Sequence, residues 1–435
     1  MKTDVTEINA YTRELSITVP WEELKDDFNR SAQRFSRKIK IPGFRPGKAP
    51  IKVILAQFLP SIEAEFVEDA FHKAYVKALD EQDLSPVNQA TVKALDFHYG
   101  QDLTFTARFE IEPDLTIPPL KKNALKVTRT RYESDEVDLE STIEEIRYAR
   151  AEVRPVEDGS KEGHFILGDL QELDASGVAI IGRKLEKRYL RIGDGIFKGE
   201  NLKRLEGLKP GDTTQVEIPD EVGNPVLYQL SVIRVEEQIL PEVNDDFVRE
   251  VDPEYDSVEA WTASVKERID KNYERRAVEH YERALSDAMI EKINPEYPPS
   301  MVEAYLDHLV EDAKKSNEGE EPLDEAKVRE AYRPAAERNL KWYLVRNAII
   351  QQEGLEVTRD EIQAKIDEIV NAAPESQRKQ VNKYYKKPSH RRHIEDDLME
   401  NKVLNYIERF TKVKDVVVKT EDLRKMGQEG PNHEH

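Results

Sequence analysis

The stretch WEELKDDFNRSAQRFSRKIKIPGFRPGKAP (residues 21–50) sets a helix and a stiff loop side by side, and from Arg30 onward every charge in it is positive. Trp21, Leu24, Phe28, Ala32, Phe35 and Ile39 recur at helical spacing and so line one face, while Arg30, Arg34, Arg37 and Lys38 fall on the other. From residue 30 through 62 there is no Asp or Glu, yet the same interval holds Arg30, Arg34, Arg37, Lys38, Lys40, Arg45, Lys48 and Lys52. In a chain of formal net charge -21, that segregation marks one corner as built to meet a negative partner. In the loop, Gly43 and Gly47 permit backbone angles closed to other residues, and Pro42, Pro46 and Pro50 stiffen the chain around them. Phe44 and Arg45 stand at the apex as an anchor pair. A stiff loop loses little entropy on docking, and the forked donors of arginine suit phosphates and carboxylates alike.

Outward from this segment, 435 residues predict two to four domains. Charged residues at 35 % against hydrophobic ones at 38 % suit an elongated, well-solvated chain better than one globule. The absence of cysteine excludes disulfides and thiol chemistry. The N-terminal stretch lacks a signal-like apolar core, and no apolar run reaches membrane-spanning length, so a soluble, cytoplasmic protein is expected. ELSITVP predicts a strand ahead of the first helix, IEAEFVEDAFHKAYVKALDEQ a second amphipathic helix, and residues 90–118 a hairpin turning near Gly100. Leu103, Phe105, Ala107, Phe109 and Ile111 alternate as a half-buried strand requires. Residues 1–115 are thus read as an α+β domain, and 116–155 as a charged helical linker packing on the C-terminal domain. Residues 156–240 form a β-rich middle domain, 241–420 an all-α domain and 421–435 a disordered polar tail. Ser300 and Thr358, each with Glu three residues on, predict capping boxes, and Gly354 ends a long helix whose Trp342, Leu344, Val345, Ile349 and Ile350 read as core. KQVNKYYKKPSHRRHIEDD (residues 379–397) is a second basic cluster with paired tyrosines, read first as a solvated face. The tail histidines, His433 and His435, make at most a weak metal site. No His-Glu-x-x-His helix, phosphate-binding loop or Gly-x-Ser-x-Gly turn is found, so no cofactor and no metal are expected.

Residues 17–50, ending in GFRPGKAP at a helix end, resemble the ribosome-docking segment of trigger factor, a bacterial chaperone family. The resemblance implies that Gly43, Phe44, Arg45, Pro46, Gly47 and Lys48, with Arg34, Arg37 and Lys38 of the helix ridge, contact ribosomal protein and RNA beside the exit tunnel. Many members of that family carry Lys where this chain has Pro46, which leaves Lys48 and the ridge to supply the charge. YLRIGDGIFKGENLKRLEGLKPGDTTQVEIP (residues 189–219) resembles the FK506-binding type of prolyl isomerase, at the place where trigger factors carry one. That pocket stabilises a twisted amide by low polarity. Here Phe197 keeps a wall position, but Lys198 replaces an aliphatic residue, Asn201 an aromatic floor and Arg188 an aromatic wall; the competing alignment puts Tyr228 on the floor. Desolvating such groups costs roughly 1–3 kcal/mol or more each, so the isomerase fold is expected with weak or absent activity. The resemblance implies an ATP-independent chaperone whose partners are the ribosome and nascent unfolded polypeptides, with no membrane. It leaves open a homodimer of the free molecule. An active peptidyl-prolyl isomerase is the alternative.

Overall fold

A computed structural model describes residues 1–39, 44, 49–174, 176–220, 224–316 and 324–428. The chain opens with β1 (Lys2–Glu7) and β2 (Thr12–Val19), then α1 (Trp21–Lys38), α2 (Ile51–Glu81), β3 (Thr91–Asp96) and β4 (Leu103–Glu110). The four strands form an antiparallel sheet in the order β1-β2-β4-β3. Alternation puts Leu15, Ile17 and Val19 of β2 beside Leu103, Phe105, Ala107 and Phe109 of β4 in one buried layer, which Phe28 of α1 and Phe66 of α2 complete. Two features were not expected. The polar segment KTDVTE forms β1 because its pairing with β2 supplies the backbone bonds that its side chains do not demand. Helix α2 begins at Ile51 rather than near Ile62, and kinks at Phe58 (φ -131°, ψ 16°). Pro60, which lacks an amide hydrogen and crowds the preceding turn, accounts for the kink.

Next come β5 (Leu125–Glu133), α3 (Glu136–Ala149), β6 (Glu152–Pro155), β7 (Phe165–Leu173), β8 (Ala179–Arg191), α4 (Glu200–Leu205), β9 (Thr213–Pro219) and β10 (Pro225–Ile239). Strands β6 to β10 make an antiparallel sheet in the order β6-β10-β7-β8, with β9 also paired to β10. Its buried face carries Ile166, Leu170, Leu190, Leu230, Val232 and Val235, closed by Leu205 of α4 and Val216 of β9. Gly168 is required there, because a Cβ would stand 2.6 Å from Leu230 Cδ1 and 2.7 Å from the Ser231 carbonyl oxygen.

The remainder is mainly helical: α5 (Asp245–Val251), α6 (Val258–Ile293), α7 (Pro299–Ser316), α8 (Glu325–Glu353), α9 (Arg359–Ala372), α10 (Glu375–Tyr384) and α11 (Arg392–Glu408), then β11 (Thr411–Lys419) and α12 (Thr420–Gln428). Strand β11 pairs with β5, which corrects two expectations: the 116–155 stretch carries strand as well as helix, and the 241–420 stretch is not all-α. Among the described residues the chain is multidomain, with an α+β N-terminal part, a β-rich middle and a helical C-terminal part. It divides into two compact units: residues 1–129 with 280–414, and residues 130–279 with 415–435.

In the first unit, Leu285 and Met289 of α6 pack with Val345 and Ile349 of α8 and Val403 and Ile407 of α11. Thr358 and Glu361 form the expected capping box, and Gly354 caps α8 in the left-handed region (φ 60°). Ser300 does not cap. It lies inside the first turn of α7, and its amide (3.1 Å) and its hydroxyl both donate to Glu110, whereas a capping hydroxyl accepts from a first-turn amide. In the second unit, Leu139, Ile143 and Ile146 of α3 pack on Phe247 and the fully buried Trp261. The disordered tail must be corrected for residues 421–428, which form most of α12. Its Thr420 is buried and donates to Glu133 and Asp138, and Arg424 pairs with Asp135 and Asp138. Those two carboxylates at the start of α3 hold the helix to α3. His433 and His435 lie outside the described residues.

Candidate polyanion-binding surface

Helix α1 follows Pro20, and the amide of Trp21 donates to Asp102 at 2.8 Å. Its apolar face buries Leu24, Phe28 and Ala32, and Phe28 stands 5.1 Å from both Phe66 and Tyr99, ring centre to ring centre. This aromatic cluster fixes the rotation of the helix, so Arg30, Arg34, Arg37 and Lys38 face outward toward solvent and α2. There Arg34 pairs with Asp69 (2.9 Å), Lys38 with Glu65 (2.7 Å), Lys73 with Asp27 (3.0 Å) and Arg30 with Asp27. Arg37 has no carboxylate partner among the described residues. The groove of about 360 Å³ between the two helices is lined by Arg30, Arg34, Arg37 and Lys73 with Asp27 and Asp69. These ion pairs are largely solvated, hence weak and readily screened. A phosphate could therefore exchange with a carboxylate at little cost. Glu65 and Asp69 were missed from sequence, although their i,i+4 spacing on one helix facing a cationic ridge was a usable signal.

Phe44 keeps 41 % of its surface in solvent, as an anchoring side chain must. Gly43, Arg45, Pro46, Gly47 and Lys48 lie outside the described residues.

In the middle sheet, two of the five residues read as an isomerase pocket, Lys198 and Asn201, line one depression. A shallow depression of about 300 Å³ is lined by Ile196, Lys198, Asn201, Glu217, Pro219 and Pro225, among others. Phe197 and Tyr228 are half-buried and pack on the sheet's core instead. Arg188 stands exposed on β8 opposite Gly168. Asn201 is 9 % exposed, and its polar atoms are all engaged. Its side-chain amide donates to the carbonyls of Ile196 (2.9 Å) and Glu217 (2.8 Å), and its oxygen accepts from the amide of Glu217 (3.1 Å). It pairs with Glu217 as a neighbouring strand would, and so bolts α4 to β9. An apolar floor is absent at this position. Sequence reasoning also missed Glu236, a buried carboxylate that accepts from Tyr189 and pairs with Arg234. That hydrogen bond, with burial, holds the Tyr189 hydroxyl above the usual phenol range.

Among the described residues no group of His, Asp or Glu is placed to hold a metal ion, and no helix is long and apolar enough to cross a membrane.

Comparison with known proteins bears on the whole chain. A family model described as bacterial trigger factor protein matches residues 1–146, and one described as its C-terminus matches residues 257–408. The trigger factor of Chlorobaculum parvum is 27 % identical over 416 residues, covering 94 % of this chain and 96 % of that protein. That of Salinibacter ruber is 28 % identical over 431 residues, covering 94 % and 93 %. A solved trigger factor chaperone structure aligns at 19 % identity with a TM-score of 0.41, covering 94 % of this chain and 99 % of that one.

Proposed function

The chain belongs to the trigger factor family, and from that premise we propose an ATP-independent chaperone that docks at the ribosomal exit tunnel and shields nascent polypeptides in the cytoplasm. In this reading residues 1–115 dock, residues 241–420 cradle the client chain with residues 116–155 packed along them, and residues 156–240 are an isomerase-like body of weak or absent activity. Phe44 and Arg45 anchor to ribosomal protein and adjacent RNA, Pro46 stiffens the loop while Gly43 and Gly47 permit its turns, and Lys48 with Arg34, Arg37 and Lys38 supplies the long-range attraction. The observation that carries it is the solvent exposure of Phe44 next to the cationic end of α1, in a span without acidic residues. An aromatic side chain left in water beside fixed positive charge gains by docking on a surface with an apolar pocket and phosphates around it.

Co-sedimentation with 70S ribosomes tests the proposal. The Phe44→Ala/Arg45→Ala double variant is expected to lose most of its ribosome association, and the wild-type association is expected to weaken as salt is added. A double variant that pellets with ribosomes as well as the wild type would overturn the assignment. The fully bonded amide of Asn201 supports the low-activity reading of the middle domain. A proline-limited peptide assay on the full chain is expected to show little acceleration.

A further inference from the structure

We infer that the surface formed by α10, the 3-10 turn Pro388–His390 and the start of α11 binds single-stranded nucleic acid. The inference does not rest on the docking assignment for α1. Between Glu375 and Glu395 the sequence has no acidic residue and seven cations, Arg378, Lys379, Lys383, Lys386, Lys387, Arg391 and Arg392. Elsewhere in the same unit, helix surfaces are knitted by ion pairs, such as Arg333 with Glu303 (2.8 Å), Lys314 with Glu325 (2.7 Å) and Lys402 with Glu361 (2.7 Å). Among the described residues, none of the seven has a carboxylate partner. Arg378 donates to the carbonyls of Ala373 (3.0 Å) and Asn371 (3.1 Å), and Arg391 to that of Tyr385 (2.5 Å). Main-chain carbonyls therefore hold these two guanidinium groups without neutralising them. Lys379 and Lys383 stand four residues apart on α10, a like-charge arrangement that works against the helix. Helix stability thus does not explain the cluster.

The second observation is aromatic. The Tyr384 ring lies 3.9 Å from the His390 ring at an interplanar angle of 14°, with Tyr385 edge-on at 5.1 Å, yet Tyr384 keeps 51 % of its surface in solvent. The histidine is tied in turn, its Nδ1 lying 2.8 Å from the Tyr384 carbonyl. A ring braced on one side, half-exposed and flanked in sequence by unneutralised cations is a stacking platform in a phosphate-attracting field. Unstacked bases on a sugar-phosphate chain fit both features, whereas an acidic peptide uses the charge and leaves the ring idle.

The test uses full-length protein in the Phe44→Ala/Arg45→Ala background, so that failure here is distinct from failure of ribosome docking. Labelled RNA and DNA 12-mers of one sequence are titrated by fluorescence anisotropy at several salt concentrations. Binding of either sustains the proposal and tells the two sources apart. Lys379→Gln/Lys383→Gln/Lys386→Gln/Lys387→Gln is expected to reduce the slope of log affinity against log salt by about 2.8, at about 0.7 for each phosphate no longer neutralised. Tyr384→Ala is expected to weaken binding about 5- to 150-fold, the range for removing one base stack, and Tyr384→Phe to retain it. Circular dichroism checks that the variants remain helical. Failure of both oligonucleotides to bind overturns the proposal. So does a Tyr384→Ala variant that binds as tightly as the parent while polyglutamate competes fully, which would mark an acidic-polypeptide surface.

Discussion

Replacing Asn201 by leucine tests the role of its amide, because the branched shape of the side chain is kept while three hydrogen bonds of 2.8–3.1 Å are removed. At a net worth of about 0.5–1.5 kcal/mol each, the three would total about 1.5–4.5 kcal/mol if additive. Glu217 sits at an exposed strand position, so water can take over part of what its main chain loses. We therefore expect a local destabilisation of about 1–3 kcal/mol, confined to the junction of α4 and β9. Native-state hydrogen exchange on the full chain reads this directly. The Glu217 amide should exchange about 5- to 150-fold faster, while amides of the β2–β4 pair stay unchanged. Asn201→Trp, which reinstates an aromatic floor, removes the same bonds and overpacks the site, so it should destabilise the sheet without raising prolyl isomerisation. The reasoning is refuted if Asn201→Leu exchanges within about twofold of the wild type, or if Asn201→Trp gains isomerase activity at unchanged protection.

Gly168→Ala forces a Cβ to within 2.7 Å of the Ser231 carbonyl oxygen, which cannot move without breaking the β7–β10 ladder. A loss of about 1–3 kcal/mol is expected, read as faster exchange at the Leu170 and Leu230 amides, and unchanged exchange would contradict it. The Glu361 carboxylate is lowered from 4.5 to about 2, first by its hydrogen bond from Lys402 and then by the Thr358 amide and hydroxyl. Its folded pKa being depressed, the cap's contribution is complete above the ordinary glutamate pKa and is lost as pH falls through about 2. An NMR titration should find that low midpoint, and Lys402→Ala should raise it toward the ordinary value. Arg424→Ala removes the guanidinium shared by Asp135 and Asp138, so trypsin should cut after Lys419 and Lys425 sooner than in the wild type. Equal cutting rates would show that α12 is held by other means.

Much of the N-terminal fold was legible because its burial is periodic. Leu103, Phe105, Ala107 and Phe109 alternate, and Leu24, Phe28 and Ala32 repeat at helical spacing, so each element announces which side faces the core. Strand β1 has no such pattern, since its stability comes from main-chain pairing with β2, which one-dimensional reasoning cannot see. Residues 51–61 were obscured by Pro60, which reads as a break and acts as a kink. Distant partners account for the remaining differences. Ser300 looks like a cap until Glu110, 190 positions earlier, takes its donors. Arg424 looks like part of a loose tail until Asp135 and Asp138 are placed beside it. At the candidate site, the basic ridge was legible from charge segregation alone. Glu65 and Asp69 were not, because pairing across two helices depends on the relative rotation that Phe28 and Phe66 set.

The two cationic surfaces differ in a way that bears on how each can work. On α1, Arg34 and Lys38 already rest on Asp69 and Glu65, so an incoming polyanion exchanges one set of solvated ion pairs for another. Such an exchange gains little from charge alone, and specificity must come from what charge cannot supply, namely the exposed ring of Phe44. Between residues 375 and 395 the cations have no carboxylate partner among the described residues, so attraction there is uncompensated and falls steeply with salt. Selective mooring and nonselective retention of a charged chain place opposite demands on a surface. Neutralising carboxylates suit the first, and their absence suits the second. A chain with 87 acidic residues could have paired every cation of the second surface, and its sequence leaves 19 consecutive positions without one acid to do so.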